Sequence, residues 1–218
     1  MFKICIDEQA AMARSPAEAA AGVAAHTPYI DQLRRNARYV ASERLAPAAS
    51  ARVLRGATGK VVATQGPYAE SREQFGGFYI VDAEHLDEAI ELAAHNPALG
   101  TVGVAIEIRP VVGRVPASAA GATSYLLAAH RDEAAGDDDA WCAAVREWGG
   151  IALAPSSSAT TVRLRDGKPV LADGPFAPGH EQLGGYRVVE AHDLDAAAGL
   201  AGTLTGAIRT IEVRAIRS

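Results

Sequence analysis

The 218-residue sequence has little of what marks several large protein classes. Its two cysteines, Cys5 and Cys142, lie far apart, which gives neither a disulfide framework nor a metal-ligand spacing, so we expect free thiols. No apolar run approaches the roughly 18 residues that a membrane-spanning helix needs. Acidic Asp7 and Glu8 follow the first short apolar run, unlike the pattern of a secretory signal peptide. These absences predict a cytoplasmic protein without a membrane segment.

Excess positive charge is also missing. The chain has 21 Lys and Arg against 26 Asp and Glu, a net charge of −5. This balance gives no electrostatic basis for binding nucleic acid or anionic lipid. Aromatic residues make up only 6%, and much of the 49% hydrophobic content is alanine, which buries little area per residue. A small unit of this composition is marginally stable alone, so we expect one part of the chain to pack on another.

An internal repeat dominates what is present. Residues 66–93 read GPYAESREQFGGFYIVDAEHLDEAIELA, and residues 174–201 read GPFAPGHEQLGGYRVVEAHDLDAAAGLA. The offset is 108 throughout, without a gap. Two copies of this length are too long and too few for a solenoid. The repeat predicts one small unit at 1–112, a linker of small residues at 113–121, and a second copy at 122–218.

Each half shows the same order of predicted elements: strand, helix, hairpin, strand, helix, strand. This order is typical of an α+β fold made of two ferredoxin-like units, each with both helices on one face of its sheet. The other face of each sheet then needs a partner. In the first half we predict strands at 2–6, 39–42, 77–81 and 102–112, helices at 14–37 and 86–94, and a hairpin at 52–64. In the second half we predict strands at 124–129, 185–189 and 208–216, helices at 137–148 and 192–201, and a hairpin at 160–172.

The first helix has a clear start and an interruption. Ser15 and Pro16 suit the N-cap and the first helical position. Pro28 cannot donate a backbone hydrogen bond, so it either kinks the helix or makes it start again at Thr27. Three- and four-residue spacings place one set of side chains on a common helical face. These are Val23, His26, Ile30 and Leu33.

The repeated stretch resembles the YCII-related (DGPF-domain) family. Residues 173–176 read Asp-Gly-Pro-Phe, and a Glu-Gln pair, a Gly-Gly pair and Leu-Asp-x-Ala follow in order. The first copy departs from this motif at one position, where Gln65 precedes Gly-Pro-Tyr. The resemblance implies that such units pair sheet to sheet as an α+β barrel. Here the pairing would form an internal pseudo-dimer, so we expect a monomer or a homodimer of it.

The resemblance also implies catalytic residues. In this family a histidine on the first helix is proposed to act in acid–base chemistry with an aspartate. The matching positions are His26 and Asp173, which lie in different halves. Gln65 occupies the aspartate position of the first half, and Ala134 lies opposite His26 in the second. A histidine on a helix face can equally serve packing, and Asp173 can equally cap the turn that follows it.

Other motif positions are candidates for substrate binding. A cation and a carboxylate on a loop beside a cleft can hold an anionic substrate, although an exposed surface pair is the commoner explanation. The aromatic members line either a pocket or the core. The set is Gln65, Tyr68, Glu70, Arg72, Phe176 and His180.

Several sequence features that could suggest a metal or phosphate site have ordinary structural explanations. The acidic run 137–139 is ordinary for a helix start, and His130, Asp132 and Glu133 lack a metal-ligand spacing. The Gly-Gly pair at 76–77 opens a strand, so it is not a phosphate-binding loop. Arg109 and Arg214 alternate with apolar residues on the closing strands, either at an interface or toward solvent. We expect no metal and no cofactor.

Two functions follow from these features. The first is cofactor-free acid–base chemistry, of the lyase, isomerase or dehydrohalogenase type, on a small organic molecule. The second is a non-catalytic ligand-binding or regulatory module with degenerate sites. The two differ in whether His26 faces a cleft with an acid within hydrogen-bond reach.

Overall fold

The computed structural model describes residues 1–57, 60–68, 73–115, 123–177, 179, 181–201 and 208–217. The elements of the first half are β1 (Phe2–Asp7), α1 (Glu8–Met12), α2 (Pro16–Ala24), α3 (His26–Arg35), β2 (Tyr39–Leu45), β3 (Arg52–Ala57), β4 (Lys60–Gln65), β5 (Glu73–Val81), α4 (Leu86–Ala94), β6 (Val104–Ile108) and β7 (Val111–Val112). Those of the second half are β8 (Ser124–Asp132), α5 (Asp138–Glu147), β9 (Ile151–Leu153), β10 (Thr160–Arg165), β11 (Lys168–Asp173), β12 (Glu181–Glu190), α6 (Leu194–Gly199) and β13 (Thr210–Arg217). The predicted α+β class is confirmed.

The first predicted helix is divided in two. Ser15 caps α2 through a capping box, in which the Glu18 amide donates to the Ser15 hydroxyl and the Ser15 amide donates to the Glu18 carboxylate. The chain breaks at Ala25, and α3 starts at His26, one residue before the predicted restart. Val23 on α2 is exposed, whereas Leu33 on α3 is buried, so the two do not share one buried face.

Two other predicted elements have different bounds. The closing strand of the first half is interrupted after Ile108, where Pro110 provides no amide hydrogen for a strand ladder. The last helix begins at Leu194 because Asp193 serves as its N-cap and accepts the Ala196 amide at 2.7 Å. Both differences come from local backbone chemistry.

All strand pairs are antiparallel, and each half contributes a hairpin to the strands of the other. In the first half β1 lies between β5 and β6, and β5 also pairs with β2. In the second half β8 lies between β12 and β13. Strand β3, from the first-half hairpin, pairs with β13, and β10, from the second-half hairpin, pairs with β6. Neither half therefore completes its strand pairing alone.

Two short pairings join the halves further. Ile216 of β13 pairs with Leu45 of β2, and Val111 of β7 pairs with Leu153 of β9. Together these contacts make one 13-stranded antiparallel sheet with a branch at β13. Among the described residues, no helix combines the length and apolar content that crossing a bilayer requires.

Three hydrophobic clusters fill the space around the strands. One lies between the first-half strands and α3 and α4, and another lies between the second-half strands and α5 and α6. Each of these two includes one hairpin residue of the other half, Val162 and Leu54 respectively, whereas the third combines many side chains from both halves. Its buried members are Met1, Ala41, Leu45, Phe75, Phe78 and Ile80 from the first half and Leu126, Ala128, Leu153, Leu183 and Tyr186 from the second. The mutual packing that the alanine-rich composition predicts is present in this third cluster.

The more polar face of each closing strand is buried. Ile106 and Ile108 pack in the first-half helix cluster, as the alternation predicts. Glu107 and Arg109 alternate with these isoleucines in the sequence. They are only 0% and 1% exposed. Arg214 on β13 is 2% exposed. Both arginines therefore lie at the interface between the halves and do not face solvent.

Arg109 connects the two halves through charge. Its guanidinium donates to Glu107 at 3.1 Å and to the carbonyl of Ala154 at 3.0 Å, and it lies 3.8 Å from Glu133. Burial alone would raise the pKa of Glu107, but the positive charges of Lys3 and Arg109 outweigh it and hold that pKa below its ordinary value. Glu107 is thus ionised inside the protein.

Arg214 makes the equivalent set of contacts from the other half. Its guanidinium lies 2.9 Å from Glu212 and 3.9 Å from Glu8, and it donates to the carbonyls of Ala46 and Phe75. Ala46 and Ala154 are separated by the repeat offset of 108, which relates the two clusters. A buried arginine that is matched by carboxylates and carbonyls in the opposite half specifies how the halves fit together.

Replacing Arg214 by methionine will lower the free energy of unfolding by about 3–5 kcal/mol, because Glu212 and Glu8 lose their buried cation while the apolar volume is largely kept. Urea unfolding measures the change. Exposed Arg217 on the same strand provides the control, and Arg217→Met will cost under about 0.5 kcal/mol.

The difference in free energy of unfolding between Arg214→Met and the parent protein will narrow as the pH falls through the lowered folded-state pKa of Glu212. The reason is that a protonated carboxyl group no longer needs the positive charge of the arginine. Equal stability of Arg214→Met and the control Arg217→Met near neutral pH would contradict the role of Arg214.

Separate expression of residues 1–115 and 123–218 will give chains that assemble with each other. Each carries a hairpin whose strand partner is on the other chain, and each exposes its part of the shared hydrophobic cluster. Mixing the two will restore a complex of the intact protein's size on gel filtration, with a gain in near-ultraviolet circular dichroism. Two stable monomers that do not associate would show that the exchanged strands are dispensable.

Candidate functional site

His26 lies at the start of α3 and faces β5. Its Nδ1 is 2.5 Å from the hydroxyl oxygen of Tyr79, and the two rings stack with centroids 5.9 Å apart. The side chain is half-buried. The break between α2 and α3 places His26 in the first turn of α3, and the β5 register brings Tyr79 opposite Phe2 in the middle of its sheet.

Tyr29 packs against this pair. The ring of Tyr29, one turn along α3, meets Tyr79 edge to face at 5.5 Å, and its hydroxyl donates to the Leu92 carbonyl at 3.0 Å. Burial raises the pKa of Tyr29 to about 12, and burial also raises that of Tyr79. Both phenols are therefore protonated at neutral pH and act as neutral hydrogen-bond partners.

The charge state of His26 follows from its surroundings. Burial lowers the pKa of the imidazole, and the positive charge of Arg44 on β2 lowers it further. The ring is therefore neutral at pH 7, with one nitrogen protonated. The Tyr79 hydroxyl can serve either tautomer: it accepts from Nδ1–H or donates to a bare Nδ1. The second ring nitrogen, Nε2, is then a base in the first case and a hydrogen-bond donor in the second.

The structure does not join His26 to the aspartate of the family motif. Asp173 is exposed at the end of β11, where its backbone pairs with Thr160. Gln65 is exposed at the end of β4, where it pairs with Arg52. Within the described part of the chain, no hydrogen bond or ion pair connects His26 with Asp173 or Gln65. The catalytic role of Asp173 stays a prediction.

The aromatic residues of the two Gly-Pro turns occupy equivalent places in opposite halves. Phe176 donates its backbone amide to Glu107 at 3.1 Å, and its ring lies beneath the guanidinium of Arg163 at 4.5 Å. Tyr68 lies beneath Arg55 at 5.5 Å. Both rings are half-buried. It is Glu107, not Asp173, that accepts an amide of the second turn.

Tyr68 also covers a histidine that the sequence analysis discounted. Its ring stacks on His130 of β8 with centroids 3.6 Å apart and planes 13° from parallel. His130 is 9% exposed at its side chain, and Nε2 lies 3.6 Å from Glu212. The Tyr68 hydroxyl donates to Glu181 at 2.5 Å. A histidine and a carboxylate are thus brought together, but at a different place from the predicted pair.

No local sequence signal identifies this second cluster. His130 and Glu212 lie on neighbouring strands, where His130 pairs with Thr210, and Tyr68 comes from the hairpin of the other half. The alternation of Glu212 with apolar Ile211 and Val213 indicates only that the Glu212 carboxylate points to the sheet face opposite to theirs. Its partner could not be inferred, because the strand register between halves is set by tertiary packing.

Three predicted binding residues, Glu70, Arg72 and His180, lie outside the described residues. Within the described ranges, no group of three or more histidine, cysteine, aspartate or glutamate side chains has a metal-binding arrangement. Two polar clusters that contain a histidine are present in the described part of the chain, one around His26 and one around His130.

Comparison with known sequences places this geometry in a family. The profile of the YCII-related domain matches residues 1–113, which is more than half of the chain. The chain belongs to the YCII-related family. The prediction from the Gly-Pro-aromatic, Gly-Gly and Leu-Asp motifs is thus confirmed. The match contains His26, Tyr79 and the Gln65 turn, whereas the motif aspartate at 173 lies beyond it.

A relative from Rhizobium meliloti (strain 1021) shows the same similarity. It is named as an uncharacterized protein and is 39% identical over 72 residues, which cover 31% of this chain. The alignment spans 55% of that relative's length, so the similarity covers about half of that protein. This relative supports membership in the family, and its name attributes no reaction to it.

Replacing Arg44 by glutamine will raise the pKa of His26 toward its ordinary value, because a positive charge beside the imidazolium is removed. Arg44→Lys keeps the charge and will leave the pKa nearly unchanged. Nuclear magnetic resonance titration of the histidine ring carbons measures both, with His26→Gln to assign the signal among six histidines. A pKa that is equal in Arg44→Gln and the parent protein would contradict the electrostatic role of Arg44.

Proposed function

We propose that this YCII-related protein catalyses cofactor-free proton transfer on a small organic molecule, with His26 as the proton-transferring residue. The observation that supports this most directly is the 2.5 Å contact between His26 Nδ1 and the Tyr79 hydroxyl. A hydrogen bond at Nδ1 orients the ring, and in the tautomer that donates from Nδ1–H to Tyr79 it leaves Nε2 as the general base. The lowered pKa of His26 supports the same role, because it provides the neutral base at pH 7.

The chemistry assigned to the pair needs only these side chains. With Nδ1–H donated to Tyr79, Nε2 removes a proton from a carbon or oxygen of the substrate and returns it later in the reaction. Tyr79 keeps its own proton because burial raises its pKa, so it orients His26 and does not act as a base. Arg44, whose charge acts on His26, supplies an attraction for an anionic group of the substrate. Isomerase, lyase and dehydrohalogenase reactions all begin with such a step.

The proposal includes an architecture. Two ferredoxin-like units, one from each copy of a tandem duplication, pack as an internal pseudo-dimer. The matched contacts of Arg109 with Ala154 and of Arg214 with Ala46 support this arrangement, as do the exchanged hairpins. In this arrangement the half that contains His26 carries the reaction. The second half, with Ala134 opposite that histidine, acts as its packing partner.

A second candidate function is a non-catalytic binding module. It is favoured by the absence, within the described residues, of a carboxylate in hydrogen-bond contact with His26. A histidine that contacts only a tyrosine can donate from Nε2 to a bound ligand without transferring a proton. The two functions give different results when exchange of substrate hydrogen with solvent is measured.

The test is solvent deuterium exchange into a small panel of carbon acids, namely pyruvate, acetoacetate and phenylpyruvate. Proton magnetic resonance in D₂O follows the loss of the hydrogens next to the carbonyl group. The intact protein is expected to accelerate exchange for at least one panel member, and His26→Gln to slow that catalysed exchange by about 10²–10⁴-fold, the usual contribution of a general base. Binding without faster exchange would favour the binding module.

Two controls separate chemistry from folding. His85→Gln changes an exposed histidine at the N-cap of α4 and is expected to leave the exchange rate unchanged. Tyr79→Phe keeps the packing and removes the hydrogen bond, so it will slow exchange less than His26→Gln and alter its pH profile. Exchange as fast in His26→Gln as in the intact protein would overturn the assignment of the base.

A further inference from the structure

The outer strand of each exchanged hairpin lies at an edge of the sheet. Strand β4 pairs with β3, and β11 pairs with β10; within the described ranges neither has a strand on its other side. Every residue of both outer strands is exposed. An unpaired strand edge presents a row of amide and carbonyl groups that can pair with another strand. The two edges are equivalent in the repeat, since Ala63 and Leu171 are separated by the offset of 108.

Pairing within the first hairpin decides which backbone groups of β4 point outward. The Gly66 amide, next to the end of β4, donates to the Ala51 carbonyl at 2.9 Å. Backbone groups of an antiparallel strand alternate between its two sides, so those of the even-numbered residues of β4 point toward β3. The amide and carbonyl groups of Val61, Ala63 and Gln65 therefore point to the open edge.

The side chains of β4 favour pairing with another strand. Residues 60–65 read KVVATQ, with no proline and a single charge, at Lys60. Val61 and Val62 are 50% and 54% exposed, and as neighbours on a strand they point to opposite faces. Uncharged, β-branched residues such as these make favourable contacts with a neighbouring strand. The edge of β4 thus has an apolar side chain to offer on each face.

The equivalent edge of β11 is protected. The Gly174 amide donates to the Ala159 carbonyl at 2.8 Å, so by the same alternation the outward groups of β11 belong to Pro169, Leu171 and Asp173. Pro169 has no amide hydrogen, and Asp173 places a charge on the edge. Proline and charged residues are common means of preventing an edge strand from pairing. None of the three outward residues of β4 is a proline or carries a charge.

We propose that β4 is a dimer interface, at which two copies of this chain pair edge to edge and antiparallel about a twofold axis at Ala63. In this register Ala63 pairs with Ala63 of the second copy, and Val61 pairs with Gln65 of the second copy. Every outward amide and carbonyl group of β4 then has a partner. Val62 lies opposite Thr64 of the second copy, which is a pair of β-branched side chains. The hairpins of the two copies form one continuous sheet.

A second copy is the partner that this edge fits, because the edge is complementary to itself. Its outward residues are symmetric about Ala63, whose small side chain lets two copies approach at the axis. Lys60 lies opposite Gly66 of the second copy, so the two lysines are at opposite ends of the interface. Twofold dimers are also the commonest soluble homo-oligomers. The same pairing through β11 would place Pro169 opposite Asp173, whose carbonyl would then lack an amide partner.

Analytical ultracentrifugation of the intact chain tests the proposal. Because a single pair of edge strands is smaller than a standard interface, the dimer is expected to have a dissociation constant of about 10–100 µM. The measured mass is expected to rise from the 22.6 kDa of one chain toward twice that value as the concentration approaches about 500 µM. Over the same range, hydrogen exchange of the Ala63 and Gln65 amides will slow, whereas that of the Leu171 amide will not.

Matched variants on the two edges locate the interface. Ala63→Lys places two like charges at the axis and will weaken the dimer at least about tenfold. Ala63→Pro removes the amide hydrogens that cross the axis and will have the same effect without adding charge. Leu171→Lys and Leu171→Pro change the equivalent position of β11 and will leave the dimer unchanged. Circular dichroism and the thermal midpoint verify that each variant is folded.

Three results would overturn the proposal. The first is an intact chain that stays monomeric at about 500 µM, which excludes a second copy as the partner of β4. The second is a dimer that neither Ala63 variant weakens, and the third is a dimer that the Leu171 variants weaken equally. If Ala63→Pro does not fold, Ala63→Lys keeps the backbone amide and still gives the answer. The concentration dependence of Ala63 amide exchange needs no variant.

Discussion

The buried pairing of Arg109 and Arg214 with carboxylates is the constraint on which the rest of the structure depends. A guanidinium in a protein interior is stable only when its hydrogen bonds and its charge are both matched. Here each arginine pairs with the glutamate two residues before it in the sequence and with carbonyl groups of the other half. Any other docking of the two halves would leave these charges buried without partners. Hydrophobic packing drives the halves together, and the arginines fix how they meet.

The exchanged hairpins also join the two halves. Each Gly-Pro turn lies at the end of a hairpin that extends the other half's sheet, so its aromatic residue is presented to strands of the opposite half. Phe176 lies beside Glu107, and Tyr68 covers His130. The motif that identifies the YCII-related family is therefore a contact between units as well as a feature of each one. A substitution in the turn affects the charged layer of the opposite half.

The two halves differ at positions that the sequence repeat makes equivalent. The first half keeps a histidine on its first helix, and a tyrosine hydroxyl, not a carboxylate, contacts that histidine. The second half has a shorter counterpart of β2 in β9, which pairs with β12 at Gly185 and Tyr186. Such differences cost little stability, because the shared core and the arginine clusters hold both halves in place while residues outside them change.

The sequence by itself determined the features that depend on neighbours along the chain. These are the family, the α+β class, the capping of α2 by Ser15, the restart of the helix near Pro28, and the positions of both hairpins. Tertiary structure decided which residues meet: Tyr79 with His26, Tyr68 with His130, and Arg109 with Ala154. These pairs are separated by 45 to 62 residues, and their contacts depend on strand exchange and register. Local propensity and periodicity contain no information on such long-range pairing, since it is fixed by the joint packing of both halves.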